Sequence, residues 1–465
     1  IRDLVSVNMM INGQMEITST ADINGYGSVD EADLIILRNY LLGIDVKEIA
    51  KPQTSKLQNL AAAVQQQDQL DVGFIGGSVT YGAGVDTDRE YLSWRAIVRR
   101  WLRDQFSQKV KVEEHDASVG ATGSFHGSYR MSNDLPLEKL DVLFIEFAIN
   151  DEYDALTKEQ TQRNYESLIQ QAYSANPNMQ IIAIFTTDFD RRNNWQTNSF
   201  ARRNYQQEVA DHYGIYWIDI GKEMWRVVMN DYGDNKPASI SDSVWRKYFT
   251  DVVHPTAAGY KVYADYIIGQ LNDELYGKNI FNQYNPYDLS YANKETFVSD
   301  DELKLYGKYV DFVEAGFDDV DGSYTGWELK KSEAGTTDFG TQTGALVSGS
   351  LNAHFGFKFK GNALAFYKTR GLTGVLEYKI YDPDDNNELK LEGQIVLEYQ
   401  NGAYSGSSEA FTAADLKKAG LSASTDKEWL VVCKLVGGTG EFRYIYVNSN
   451  NTYEETNSPI LPVAD

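Results

Sequence analysis

A serine between glycines at the end of an apolar run is the first group in this chain equipped for chemistry. The run is FIGGSVTYG, residues 74–82, and the serine is Ser78. Presented at the carboxyl end of a buried strand, it would have its own backbone N–H and the following helix N-terminus aimed at a developing oxyanion. Alone, a Gly-Gly-Ser turn reads equally well as a turn and nothing more. Three later segments change the balance: VGATGS (119–124), FIEFAIND (144–151) and FTDVVHPTAAGY (249–260). Together they fill the roles of acyl transfer. A serine hydroxyl needs an adjacent base to attack at neutral pH. His254 would be that base, held at the mouth of a sheet by the Pro255 turn. Asp251, three residues earlier, can reach the other ring nitrogen, fix the tautomer and stabilise the imidazolium. Gly120, by a backbone N–H, and Asn150, by its amide, would complete an oxyanion hole with Ser78. The five histidines are His115, His126, His212, His254 and His354, and His254 alone has a carboxylate at a supporting spacing before a turn and a helix.

These groups need a rigid frame, and the surrounding pattern supplies one. From 70 to 277 strand-like and helix-like segments alternate. The strand candidates are 71–75, 110–117, 140–149, 179–187 and 215–220; amphipathic helices are expected near 94–106, 158–174, 199–212 and 257–275. Ile97, Val98, Trp101, Leu102 and Phe106 share one face of the first helix, so Trp94 and Trp101 read as core. Buried apolar strands separated by helices predict a parallel sheet covered on both sides, with ligands at the strands' carboxyl ends.

The four segments, in this order, resemble the blocks of the SGNH (GDSL-type) hydrolases: Ser in the first, Gly in the second, Asn in the third, Asp-x-x-His in the last. The first block reads GGSVT in place of Gly-Asp-Ser-Leu, which with FAIND resembles the branch found in polysaccharide esterases. The resemblance spans 70–277. It implies a flavodoxin-like three-layer α/β fold with a five-stranded parallel sheet, a Ser-His-Asp acyl-enzyme mechanism and no cofactor for catalysis. The second-block donor is either Gly120 or Ala121, since the glycine shifts by one residue in this block. Trp195, Trp245 and Tyr248 are candidates for lining a sugar cleft, and Arg130 is a candidate site residue or else a structural ion pair. Asp151, beside Asn150, is expected to be a hydrogen-bonding support and not a catalyst.

A second resemblance lies at the start. Two apolar decamers, LVSVNMMING after Asp3 and LIILRNYLLG after Asp33, flank ADINGYGSVDEAD. Asp22, Asn24, Ser28, Asp30 and Asp33 fall at positions 1, 3, 7, 9 and 12 of a calcium loop, with Gly27 at the sharp turn of position 6. This resembles a dockerin, the module that docks enzymes onto cohesin scaffolds, over about one and a half repeats. The loop expected before Asp3 has no counterpart here, and Tyr26 stands at position 5 where an oxygen ligand is usual. The implied ion is Ca²⁺ and the implied partner, through a complete dockerin, is a cohesin.

The expected organisation is a partial dockerin over 1–45, a linker over 46–69, the hydrolase domain over 70–277, a second linker over 278–310 and an accessory domain over 311–465. Runs such as HFGFKFKG, GVLEYKIYD and WLVVCKLV alternate between Gly, Asn and Asp turns, which predicts an antiparallel β-sandwich of jelly-roll type. A chain of 465 residues fits about three domains at roughly 150 each. Acidic residues outnumber basic ones 67 to 43, a net charge of −24, so nucleic acid and anionic membranes are unfavourable partners. No apolar run approaches the roughly 20 residues of a membrane span. The single cysteine, Cys433, excludes an internal disulfide. With 31 Tyr, 20 Phe and 8 Trp, the chain has aromatic groups enough for carbohydrate-facing surfaces as well as cores. The combined expectation is a secreted, extracellular esterase removing O-acetyl groups from plant cell-wall polysaccharide such as xylan, mannan or pectin. The rivals are a lipase or thioesterase, and a sugar-binding protein with an inert hydrolase domain.

Overall fold

The computed structural model describes residues 55–233, 236–278, 294–300, 303–311, 324–331, 344–368, 374–396, 406–450 and 457–459, with 2–12, 14–15, 280–282 and single residues 21, 29, 33, 34, 37, 38, 41 and 287. Its central element is a parallel sheet of β1 (Gln69–Gly76), β2 (Lys111–Ser118), β3 (Val142–Glu146), β4 (Gln180–Phe185) and β5 (Tyr216–Asp219), in the order β2-β1-β3-β4-β5. Successive side chains of a strand point to opposite faces. Val72, Phe74, Phe144 and Ile184 therefore join Val98 and Leu102 of the helix Trp94–Phe106 in one core. Ile75, Leu143, Ile145 and Ala183 join Leu168 of Lys158–Ala175 and Val209 of Ala201–Tyr213 in a second core on the other side. The result is three layers. Trp94 is fully buried and Trp101 packs against the first core, both as expected.

One boundary differs from expectation. The run LDVLFIEFAI was expected to be strand through 149, but β3 stops at Glu146 and Ala148–Tyr153 is a short helix. Phe147, Ala148 and Ile149 are buried all the same. An apolar run reads alike whether strand pairing or helix packing buries it.

Beyond 303 the described residues form two antiparallel sheets. One runs β13 (Glu388–Val396), β12 (Gly374–Asp382), β15 (Glu428–Gly438), β10 (His354–Lys360), β17 (Asn457–Pro459), with β7 (Tyr324–Thr325) also on β10. The other runs β14 (Gly406–Phe411), β11 (Leu364–Lys368), β16 (Gly440–Asn448), β9 (Gly344–Ser348), β8 (Glu328–Lys331), with β6 (Gly307–Asp311) also on β16. Phe355, Phe357, Leu376 and Val431 from the first sheet meet Leu346, Phe366, Phe442 and Ile445 from the second in one core, which makes a β-sandwich. The short helix Ala413–Lys418 interrupts the strands and opens on a Thr412/Asp415 capping box.

The sandwich docks on the α/β domain mainly through the helix Ser124–Asp134. Phe125 and Tyr129 of that helix pack with Ala365, Tyr367 and Tyr446. Tyr129 stacks on Tyr446 at 5.1 Å, and His126 Nδ1 lies 2.9 Å from the Tyr446 hydroxyl. Beside them Arg163 donates to Glu409 at 2.6 Å, and the Lys304 ammonium sits 3.6 Å from the same carboxylate.

At the other end of the chain, Arg2–Ile11 is helical, and Val7, Met10, Ala21 and Val29 form a small core with Ile11, Leu34 and Leu37. Asp33 is buried there. Asp22, Asn24, Ser28 and Asp30 lie outside the described residues. Among the described residues no helix is long and apolar enough to cross a membrane.

Candidate active site

Ser78 opens the short helix Ser78–Tyr81 directly after β1, with Gly77 as the preceding cap residue. Its Oγ lies 2.8 Å from His254 Nε2. The other ring nitrogen, Nδ1, lies 2.7 Å from Asp251 Oδ2. The second carboxylate oxygen of Asp251 accepts the backbone N–H groups of Val253 and His254, both at 2.8 Å. Burial opposes the charge on Asp251, but the hydrogen bonds from His254 and its backbone outweigh it and hold the carboxyl down at about 2. It is thus a carboxylate at any pH near neutrality. His254 remains partly open to solvent, as a base that must meet substrate has to be.

The loop carrying Asp251 and His254 is pinned along its length. Phe249 and Pro255 form an isolated antiparallel bridge, and Thr250 N–H donates to the His254 carbonyl at 2.8 Å. Phe189, just after β4, donates its N–H to the Val252 carbonyl at 2.8 Å. Thr256 then caps the helix Ala257–Asn272, accepting the Gly259 N–H. Gly84 (φ +97°) brings the loop after Ser78 against this one; a Cβ there would meet the Pro255 carbonyl at 2.4 Å.

Asn150 lies in the helix Ala148–Tyr153, and its amide donates to the Thr122 carbonyl at 2.7 Å. An amide NH₂ has two hydrogens, so one is left for an oxygen beside Ser78. Proximity to the serine turn is clear from Gly77: a Cβ there would lie 2.2 Å from Asn150 Nδ2. Only glycine lets the amide approach this closely. The second-block loop follows β2, with Val119 N–H on the Gly76 carbonyl at 3.0 Å. Its unusual backbone belongs to Ala121 (φ +57°) and not to Gly120. A non-glycine residue held there costs on the order of 1 kcal/mol, so the loop is over-determined by its surroundings. Asp151 does what was expected of a supporting group. It is fully buried, accepts the Ser124 N–H and hydroxyl at 2.7 and 2.6 Å and Gln206 Nε2 at 2.6 Å, and its carboxyl is pushed by burial up to about 6.

Two of the three cleft candidates are placed differently from expectation. Trp245 is completely buried: it stacks on Phe249 at 4.0 Å, and its indole N–H donates to the Asp251 carbonyl at 2.7 Å. Tyr248 is 6% exposed and donates its hydroxyl to Asp231 at 2.8 Å. Both belong to the short helix Ser243–Tyr248, whose apolar side closes the core under the loop, so neither lines a cleft. Trp195 ends the turn Phe189–Asn194 and packs, half-buried, against the same core. Arg130 is buried and donates to the carbonyls of Ala117 and Gly76 and to Asp134, the last at 2.7 Å. Arg130 ties the carboxyl ends of β1 and β2 together, which is the structural alternative offered for it. Glu146, His126 and Asp188 (buried, at the foot of the turn that holds Val252) were missed by sequence reasoning. A carboxylate interrupting the apolar VLFIEFAI was the available signal for the first. Among the described residues no group of three or more His, Cys, Asp or Glu side chains is arranged to hold a metal ion.

Residues 74–262 match the model of the GDSL-like lipase/acylhydrolase family. No curated protein matches the chain. Among solved structures, a two-domain esterase active on acetylated mannans, co-crystallised with mannopentaose, is 15% identical with a TM-score of 0.57, covering 86% of this chain and 95% of that one. A second crystal structure of a two-domain esterase active on acetylated mannans is 16% identical with a TM-score of 0.56, covering 86% and 96%. At this identity the likeness shows a shared fold, and it extends over both domains. The α/β domain, with its four sequence blocks converging on one end of a five-stranded parallel sheet, is the part of the chain that matches the GDSL-like lipase/acylhydrolase family.

Proposed function

We propose that the protein is a serine esterase that removes O-acetyl groups from plant cell-wall polysaccharide. The observation that carries this reading is the unbroken line from Ser78 Oγ to His254 Nε2 (2.8 Å) and from His254 Nδ1 to Asp251 Oδ2 (2.7 Å). His254 takes the Ser78 proton as the hydroxyl attacks the acetyl carbonyl. The tetrahedral oxyanion is met by the Ser78 N–H, the free amide hydrogen of Asn150 and a backbone N–H of the second block, Gly120 or Ala121. His254 then gives that proton to the departing sugar oxygen, which leaves as the free hydroxyl, and an acetyl-enzyme remains. It next activates a water that releases acetate and restores Ser78. Every step uses side chains and backbone of this chain, with no cofactor.

The substrate class is supported by the fold shared across both domains with an esterase active on acetylated mannans. It is also supported by the dockerin-like start, which fits cellulosome attachment through a cohesin and hence a secreted, extracellular enzyme. In this reading the Asp22, Asn24, Ser28, Asp30 and Asp33 loop takes one Ca²⁺, and the sandwich is of jelly-roll type. Acetate release from acetylated mannan, xylan and pectin, run beside Ser78→Ala, tests the proposal. Release from at least one of these by wild type and none by the variant is expected. Cleavage of long-chain acyl esters with no acetate release from any polysaccharide would favour the lipase reading instead. The inert-domain reading requires no turnover of even a simple acetate ester.

A further inference from the structure

Five apolar or neutral residues would suffice for β3, yet its last position is Glu146, 3% exposed at the centre of the sheet. Removing a carboxylate from water costs several kcal/mol unless donors replace the lost hydration. Three donors surround this one. Thr80 Oγ1 donates to Oε2 at 3.0 Å, Thr186 Oγ1 donates to Oε1 at 3.0 Å, and the Gly77 backbone N–H is the third. Burial pushes the carboxyl up to about 7 in spite of them, with the charge of Asp151 adding to the rise.

The identity of the donors is informative. Gly77 immediately precedes Ser78, and Thr80 follows it by two residues. Gly76, the last residue of β1, is registered directly opposite Glu146 across the sheet. The carboxylate therefore grips the serine turn on both sides of the serine and leaves Ser78 itself to His254. Thr186 extends the grip to the end of β4, the strand leading to Phe189 and its hydrogen bond with Val252 in the His254 loop. We infer that Glu146 is a positioning residue for the nucleophile: it fixes the Gly77–Thr80 turn, and through Thr186 the end of β4, so that Ser78 Oγ stands at attack distance from the base.

The inference rests on Ser78 as nucleophile, and the experiment separates the two claims. Glu146→Gln keeps the shape but replaces one acceptor oxygen by a donor, so a threonine hydroxyl must reverse and the turn loses a contact. Thr80→Val removes one donor at constant volume, and Thr80→Ser retains it. Each variant is compared with wild type for reaction of Ser78 with a fluorophosphonate, for kcat and KM on an aryl acetate, and for thermal midpoint. Misplacing a reacting atom by about 1 Å costs on the order of 10²-fold. Glu146→Gln and Thr80→Val should therefore lose about tenfold to 10²-fold in both labelling rate and kcat, with KM within about twofold, while Thr80→Ser stays near wild type. Labelling of Glu146→Gln and Thr80→Val at the wild-type rate overturns the role of Glu146 alone. Equal losses in Thr80→Val and Thr80→Ser also overturn it, because packing rather than the hydroxyl would then matter. If wild type is not labelled at Ser78, both claims fall. Should Glu146→Gln not fold, the Thr80 pair decides.

Discussion

Around the carboxyl ends of β1, β3 and β4 the α/β domain buries Glu146, Asp151, Asp188 and Arg130, each within a web of donors and acceptors. The sandwich core is filled instead by Phe355, Phe357, Phe366, Trp429, Val431 and their neighbours. Among the described buried residues beyond 311 there is no Asp, Glu, Lys, Arg or His; Asn362, Thr412, Asn448 and Ser449 are buried, but they are neutral. Buried charge is expensive and tolerated only with full pairing. The four at the carboxyl ends stand where side chains must be held at fixed distances for chemistry. The described core of the sandwich is held by apolar packing and neutral polar groups.

That contrast can be broken by mutation, and the largest effect belongs to Ser78. Ser78→Ala should lower kcat by on the order of 10⁶-fold, as when triad serines are removed elsewhere. Its thermal midpoint should barely move, since only a hydroxyl at the surface end of the sheet is lost. A variant keeping a tenth of wild-type turnover would move the nucleophile elsewhere. Asn150→Ala comes next, with a loss of about 10²–10³ in kcat and a much smaller change in KM, because the amide matters most when the oxyanion has formed. A change confined to KM would reassign Asn150 to substrate binding.

On the sandwich side, Trp429→Ala empties a fully buried site and forfeits the indole bond to the Gly361 carbonyl (3.1 Å), costing about 3–5 kcal/mol. Chemical denaturation should register that loss while kcat per folded molecule is unchanged. A matching fall in kcat would mean that the sandwich core also shapes the site.

The smallest effect sits where the two regions meet. Burial, with the nearby charge of Arg130, drives His126 from the ordinary 6.5 down to about 3. The folded state therefore binds fewer protons there than the unfolded state between those values. Stability from this group is present above about pH 6.5 and is lost as pH falls toward 3. Wild type should lose thermal stability relative to His126→Phe across that window. The difference, not the absolute curve, is the readout, because Asp151 and Glu146 titrate in the opposite sense. A pH-independent difference would show that His126 is not held neutral at the domain junction.

Much of the frame was legible because strands buried on both faces and helices with one apolar face leave different periods in the sequence. The Ser78, Asn150 and Asp251/His254 blocks were found because each chemical role restricts residue type and spacing. Trp245 and Tyr248 misled because an aromatic near a catalytic loop reads alike whether it lines the cleft or closes the core below it. His126 carried no local signal at all: its partner Tyr446 lies 320 residues away. The backbone of the second block was also hidden, since a glycine advertises a positive φ, and here the neighbouring alanine adopts it.

The helix Ser124–Asp134 has one more consequence. One side of it carries Ser124 and Arg130 against the catalytic loops, and the other carries Phe125 and Tyr129 against the sandwich. A chain cut after Gly277, where a composition change suggests a clean excision, would wet those aromatic rings and strip Arg163 of Glu409. Such a fragment would keep every catalytic side chain and yet expose a sticky face directly behind the oxyanion loop. Its expected fate in a cell is self-association and poor soluble yield. Anyone trimming this enzyme for industrial use should therefore keep the sandwich, whether or not it ever touches a sugar.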